Sequence, residues 1–67
     1  MSDDSITAAV EHFVKKVSFS VQREVERVVR TAVAEGKLQA HETFTAAVTV
    51  SSEKVGLMAT VYSKIEL

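Results

Sequence analysis

Between Val21 and Gly36 the chain reads VQREVERVVRTAVAEG, and this stretch limits the possible folds more than any other. Its apolar residues fall at Val21, Val25, Val28, Val29, Ala32 and Val33. That recurrence belongs to an α-helix with one apolar stripe, not to a strand. Arg23, Arg27 and Arg30 occupy the opposite face. Gly36 suits the left-handed position just past a helix end, and Lys37 suits the negative end of the helix dipole. The inner face is mostly valine and alanine. Valine is a modest helix former, so the helix must rely on something packing against its stripe.

Upstream, Ile6, Val10, Phe13, Val14 and Val17 also share about a third of a helix circumference when advanced by ~100° per residue. The spacing predicts a first helix from Ser5 to Val17 or Ser18. Asp3, Asp4 and Ser5 suit a helix start by capping chemistry and by charge, with Met1 to Asp4 a frayed tail. Ser18-Phe19-Ser20 interrupts the pattern. Ser20 reads as the N-cap of the second helix, with Phe19 packing back on the first turns. A connection of two or three residues makes two helices packed neighbours.

After Gly36 the period changes from helical to two. Lys37 to Thr43 reads as a connector, with Leu38 its anchor. Phe44, Ala46, Val48 and Val50 alternate with Thr45, Ala47 and Thr49, as in a half-covered strand. Ser51 to Gly56 reads as a turn. Leu57, Ala59, Val61, Ser63, Ile65 and Leu67 then form one row, and Met58, Thr60, Tyr62, Lys64 and Glu66 the other. Folding back about the turn sets Val50 near Leu57, Val48 near Ala59, Ala46 near Val61 and Phe44 near Ser63, large residues facing small ones. The expected fold is α+β, ααββ: two helices packed on one face of a two-stranded antiparallel hairpin. Phe13, Val25, Val28, Val29, Val48 and Val61 are the expected core.

A chain of 67 residues forms one domain, 1–67, and a domain this small buries only ~60% of the surface its unfolded chain exposes. Disulfides, a metal or self-association commonly make up the shortfall. With no cysteine, neither a disulfide nor a thiolate nucleophile is possible, and the composition fits a reducing, cytoplasmic setting. No apolar run approaches the ~20 residues a membrane span needs. The acidic start, MSDDS, lacks the basic and apolar regions of a secretory signal.

No motif carries a reaction. The two histidines, His12 and His41, lie 29 positions apart, unlike the close ligand spacing of a zinc site. The two glycines stand 20 apart and form no phosphate loop. There is no strand, Gly-x-Ser-x-Gly, helix sequence around any serine. The expectation is a protein that is not an enzyme, with no catalytic, cofactor-binding or metal-binding residue.

Gln22-Arg23-Glu24-Val25-Glu26, Val29-Arg30, Gly36-Lys37-Leu38, Gly56-Leu57 and the closing Ile65-Glu66-Leu67 resemble a family of short uncharacterised bacterial proteins, a domain of unknown function. The resemblance runs over nearly the whole chain and implies a compact, free-standing bacterial protein. It implies no activity and assigns no functional residue.

One local feature suggests a surface for binding. From Lys15 to Lys37 six basic residues stand against three acidic ones, although the whole chain carries a net charge of −1. Such polarity can present a basic face on a nearly neutral protein. Arg23, Arg27 and Arg30 are therefore the candidate partner-binding face, with Glu24 and Glu26 placed to pair with them, Glu26 four residues before Arg30. The expected function is a small protein-interaction or regulatory module, as a homodimer if the hairpin edge pairs with a second copy. The alternative is a nucleic-acid-binding module using the arginine face. Two helices, a short turn and a hairpin resemble winged-helix DNA binders, whose second helix enters the major groove.

Overall fold

The computed structural model describes residues 3–67, in which a single helix is followed by one hairpin. Helix α1 runs from Asp3 to Ala34, 32 residues, or about 48 Å at the α-helical rise. The expected break at Ser18-Phe19-Ser20 does not occur, so the two-helix fold is corrected to one helix and a hairpin, still α+β. The physical reason lies in the stripe. Val17 and Val21 are one turn apart, so the apolar face passes through these residues without losing phase. None of the three is glycine or proline, and serine or phenylalanine costs a helix only about 0.5 kcal/mol relative to alanine. A break would instead leave up to four backbone amides and four carbonyls without helical partners. Ser20 is consequently a mid-helix residue, not a cap. Asp3 and Asp4, expected in a frayed tail, lie in the first helical turn, where the dipole favours acids. The rest of that tail, Met1 and Ser2, lies outside the described residues.

The far end of α1 stops as its residues dictate. Gly36 has a φ of 77° and donates its amide to the Val33 carbonyl at 3.1 Å, while the Lys37 amide reaches the Ala32 carbonyl at 2.8 Å. This pair of bonds closes the last turn around a left-handed glycine. Lys37 also pairs with Glu35 at 3.3 Å. In the connector the Gln39 amide donates to the Glu42 carboxylate at 2.9 Å, and the Glu42 amide to the Gln39 carbonyl at 3.2 Å. His41 turns the chain there with a φ of 69°, a conformation histidine adopts more readily than most side chains.

Strands β1, Thr43–Ser52, and β2, Leu57–Glu66, pair antiparallel. The rows read from the sequence share the expected faces, but the register is shifted by two. Phe44 pairs with Ile65, Ala46 with Ser63, Val48 with Val61 and Val50 with Ala59. The turn causes the shift. Ser51 and Ser52 stay in the ladder opposite Met58 and Leu57, leaving a turn at 53–56 closed by the Gly56 amide on the Glu53 carbonyl at 3.2 Å. A slip of two keeps every side chain on its face, whereas a slip of one would invert them. Large residues now meet large ones at Phe44–Ile65 and Val48–Val61. On the outer face the hydroxyls of Thr49 and Thr60 lie 3.1 Å apart, and the Leu67 amide extends the ladder to the Glu42 carbonyl at 3.0 Å.

None of the described residues is buried. Val17, Val21, Val29 and Ala32 of α1 are half-buried, as are Phe44, Ala46 and Val50 of β1 and Leu38 of the connector. On β2 only Ile65 reaches that state. The half-burial thus follows β1 and leaves the inner row of β2 exposed from Leu57 to Ser63. The expected core is corrected accordingly: Val29 is half-buried, while the exposures of Phe13, Val25, Val28, Val48 and Val61 run from 36% at Val25 to 64% at Val61. The molecule measures 51 × 19 × 17 Å, with a radius of gyration of 15.8 Å, against the ~11 Å of a compact chain this long.

Candidate functional site

Two surfaces arise from these elements, and they lie on opposite sides of α1. The first is an open groove of about 780 Å³ between helix and hairpin. Val10, Phe13, Val14, Val17, Val21 and Val25 line it from α1, and Val48, Val50 and Leu57 from the hairpin. Ala9, Ser18 and Gln22 complete the lining, so no side chain there is ionisable. Such a surface cannot donate or accept a proton at neutral pH, and it offers almost nothing to orient a polar substrate. It can bury apolar surface. Sequence periodicity found both walls of the groove, but as halves of a closed core.

The second surface carries Arg23, Arg27 and Arg30, which successive turns place on one face. Their surroundings differ. Arg27 donates from Nε to Glu24 at 3.3 Å and from Nη2 to the other Glu24 oxygen. The hydrogen bond and then the charge of Arg27 hold the Glu24 carboxyl below its ordinary range, and the same pairing pushes Arg27 up. Both side chains are about two-thirds exposed, so the pairing is solvated. Arg23 lies over the Phe19 ring, 6.0 Å from its centre, within reach of a cation–π attraction. Glu26 accepts from Gln22 at 3.3 Å, and among the described residues no ion pair joins it to Arg30.

Phe19 is the member of this face that sequence reasoning misses, because the expected inter-helix turn takes it out of the helical pattern. It is 65% exposed. Along a continuous helix the spacing reveals it: His12, Lys16, Phe19, Arg23, Arg27 and Arg30 follow one another by four, three, four, four and three. The helix–turn–helix geometry that suggested groove recognition of DNA is absent, since the turn is helical.

Among the described residues no group of three or more histidine, cysteine or acidic side chains could hold a metal ion. His12 lies on α1 and His41 in the connector. Among the described residues no helix is long and apolar enough to cross a membrane. Residues 1–67 match a family of unknown function, DUF6494, and the chain belongs to that family. No curated protein and no solved structure matches it.

Proposed function

We propose that the chain is a small non-enzymatic protein-interaction module whose apolar groove is completed by another polypeptide. One observation carries this reading. Hydrophobic residues make up 46% of the sequence, yet no described residue is buried. A folded chain normally hides its valines and phenylalanines, and large contiguous apolar surfaces on small proteins mark sites of association. The groove is long, non-ionisable and walled by rigid elements, which suits a helix laid between helix and sheet. An environment-sensitive apolar dye tests it: the isolated chain, if monomeric, should enhance the dye's fluorescence, and a bound polypeptide should suppress it. A monomer with a cooperative melt and no dye binding would refute the reading.

A second reading rests on a different observation, the exposed Phe19 set among Lys16, Arg23, Arg27 and Arg30. Basic side chains interleaved with an aromatic ring suit single-stranded nucleic acid, which offers phosphates to the first and bases to the second. Binding of an oligonucleotide would weaken steeply with salt. Changing Arg23, Arg27 and Arg30 to glutamine would flatten that slope by ~1 unit for each phosphate no longer neutralised. No binding at low salt would dismiss it. The interaction reading has the stronger support, because Arg27 is already paired with Glu24 while the groove is open among the described residues.

A further inference from the structure

We propose that the groove is filled by α1 of a second copy of this chain, the two helices antiparallel about a two-fold axis near residue 19. This rests on the interaction reading above and names its partner. Three observations point to it.

The first is area. The chain exposes 5989 Å², whereas a compact monomer of 7.3 kDa exposes about 4,200 Å², an excess of about 1,800 Å² per chain. Two copies hiding that excess from each other would bury about 3,600 Å² in total, within the range of obligate homodimers and well above that of transient contacts.

The second is the pattern of the stripe. Ile6, Val10, Phe13, Val17, Val21, Val25, Val28 and Ala32 are separated by four, three, four, four, four, three and four residues, a sequence of steps that reads the same from either end. An antiparallel pair, with its two-fold axis perpendicular to the helices, requires this property, because residue i of one copy meets j of the other while j meets i. Turned antiparallel about residue 19, Val17 meets Val21, Val10 meets Val28, Phe13 meets Val25 and Ile6 meets Ala32. Each of these eight residues meets another of the eight, and the bulkiest meet smaller ones, while Val14 falls opposite Glu24 at the edge of the seam. A parallel pairing needs no such mirror symmetry, and an unrelated partner would leave it unexplained.

The third is the uncovered strand. Half-burial along the hairpin follows β1, while Leu57 and Val61 on the inner face of β2 remain exposed. Val48, Val50 and Leu57 wall the groove on the hairpin side, and Val61 pairs directly with Val48, so a second helix laid in the groove would lie over this face. The layer of two helices on one hairpin face, expected within a single chain, is here completed between two.

The test begins with the unmodified protein. Sedimentation equilibrium across a hundredfold concentration range should give twice the 7.3 kDa chain mass. A monomer that binds the apolar dye would overturn the second-copy proposal and leave the interaction reading standing. A monomer that does not bind it would overturn both. Orientation comes from spin labels, readily placed because the chain lacks cysteine. Single cysteines at exposed Ala8 and Ser20 give one label per copy. In the antiparallel pair the two labels at 8 are offset by about 33 Å along the helix axis and those at 20 by only ~3 Å, so the measured distance should be much longer at 8. Equal distances at the two sites would mean parallel helices and overturn the proposal. Val61→Glu places a charge under the partner helix and should yield a dye-binding monomer that keeps its helical circular dichroism. A full-strength Val61→Glu dimer would overturn the arrangement, and the mass of the unmodified chain decides the matter should this variant fail to fold.

Discussion

Replacing Ser20 by alanine separates a continuous helix from a broken one by the sign of its effect. Were Ser20 an N-cap, its hydroxyl would accept from a backbone amide of the next turn, and alanine would cost about 1 kcal/mol, within a range of 0.5 to 2. In the observed structure Ser20 lies in the middle of α1 and is exposed. There the comparison is one of intrinsic propensity, in which alanine exceeds serine by about 0.5 kcal/mol. Serine also competes with the helix through local bonds to the backbone, and alanine does not. The expected result is therefore stabilisation by about 0.5 kcal/mol, a rise in Tm of ~2–4 °C for a domain this size. Thermal melts followed by circular dichroism at 222 nm measure it. Both proteins must be at one concentration, because association raises Tm by mass action. Ser18→Ala, also in the interior of α1, should shift Tm the same way. A fall of ~4–8 °C in Ser20→Ala would correspond to removal of a cap and would refute the single-helix account.

Gly36→Ala should destabilise by roughly 1–2 kcal/mol, because the residue has a φ of 77° that an L side chain disfavours; a Cβ there would touch nothing within 4 Å, so an unchanged Tm would mean that the backbone cap is not as described. The Glu24 carboxyl should titrate below its ordinary range by NMR and move back up in Arg27→Gln, since the hydrogen bond from Arg27 is the main cause of the shift. With its folded pKa depressed, the stabilisation that Glu24 contributes is complete above the unfolded carboxylate pKa and disappears as pH falls through the lower folded value; a Glu24 titration unaltered by Arg27→Gln would exclude the pairing. Changing Arg23, Arg27 and Arg30 together to glutamine should leave Tm little changed, as solvated ion pairs contribute little, and a large fall would assign the arginine face a structural role.

The parts of the fold legible in the sequence are those decided by neighbours along the chain. The alternation of Phe44 to Val50 and of Leu57 to Ile65 assigned both strands and their inner faces, because side chains of a strand point to opposite sides in turn. Gly36 marked the end of α1, because a left-handed cap depends on one residue and the turn before it. The arginines of the exposed face could be placed from helical spacing alone. Other features depended on competition between whole arrangements. Ser18-Phe19-Ser20 has the residues of a break, yet an unbroken ladder of backbone hydrogen bonds and a stripe in phase outweigh three modest propensities. The register depended on whether Ser51 and Ser52 joined the ladder or the turn, and both choices keep the same faces. Above all, a period of 3.6 or of 2 identifies which side chains leave water, but not which surface they meet. Val25, Val61 and Phe13 carry the pattern of core residues in either case; the tertiary structure shows that one helix and one hairpin in a single chain are too few to enclose them.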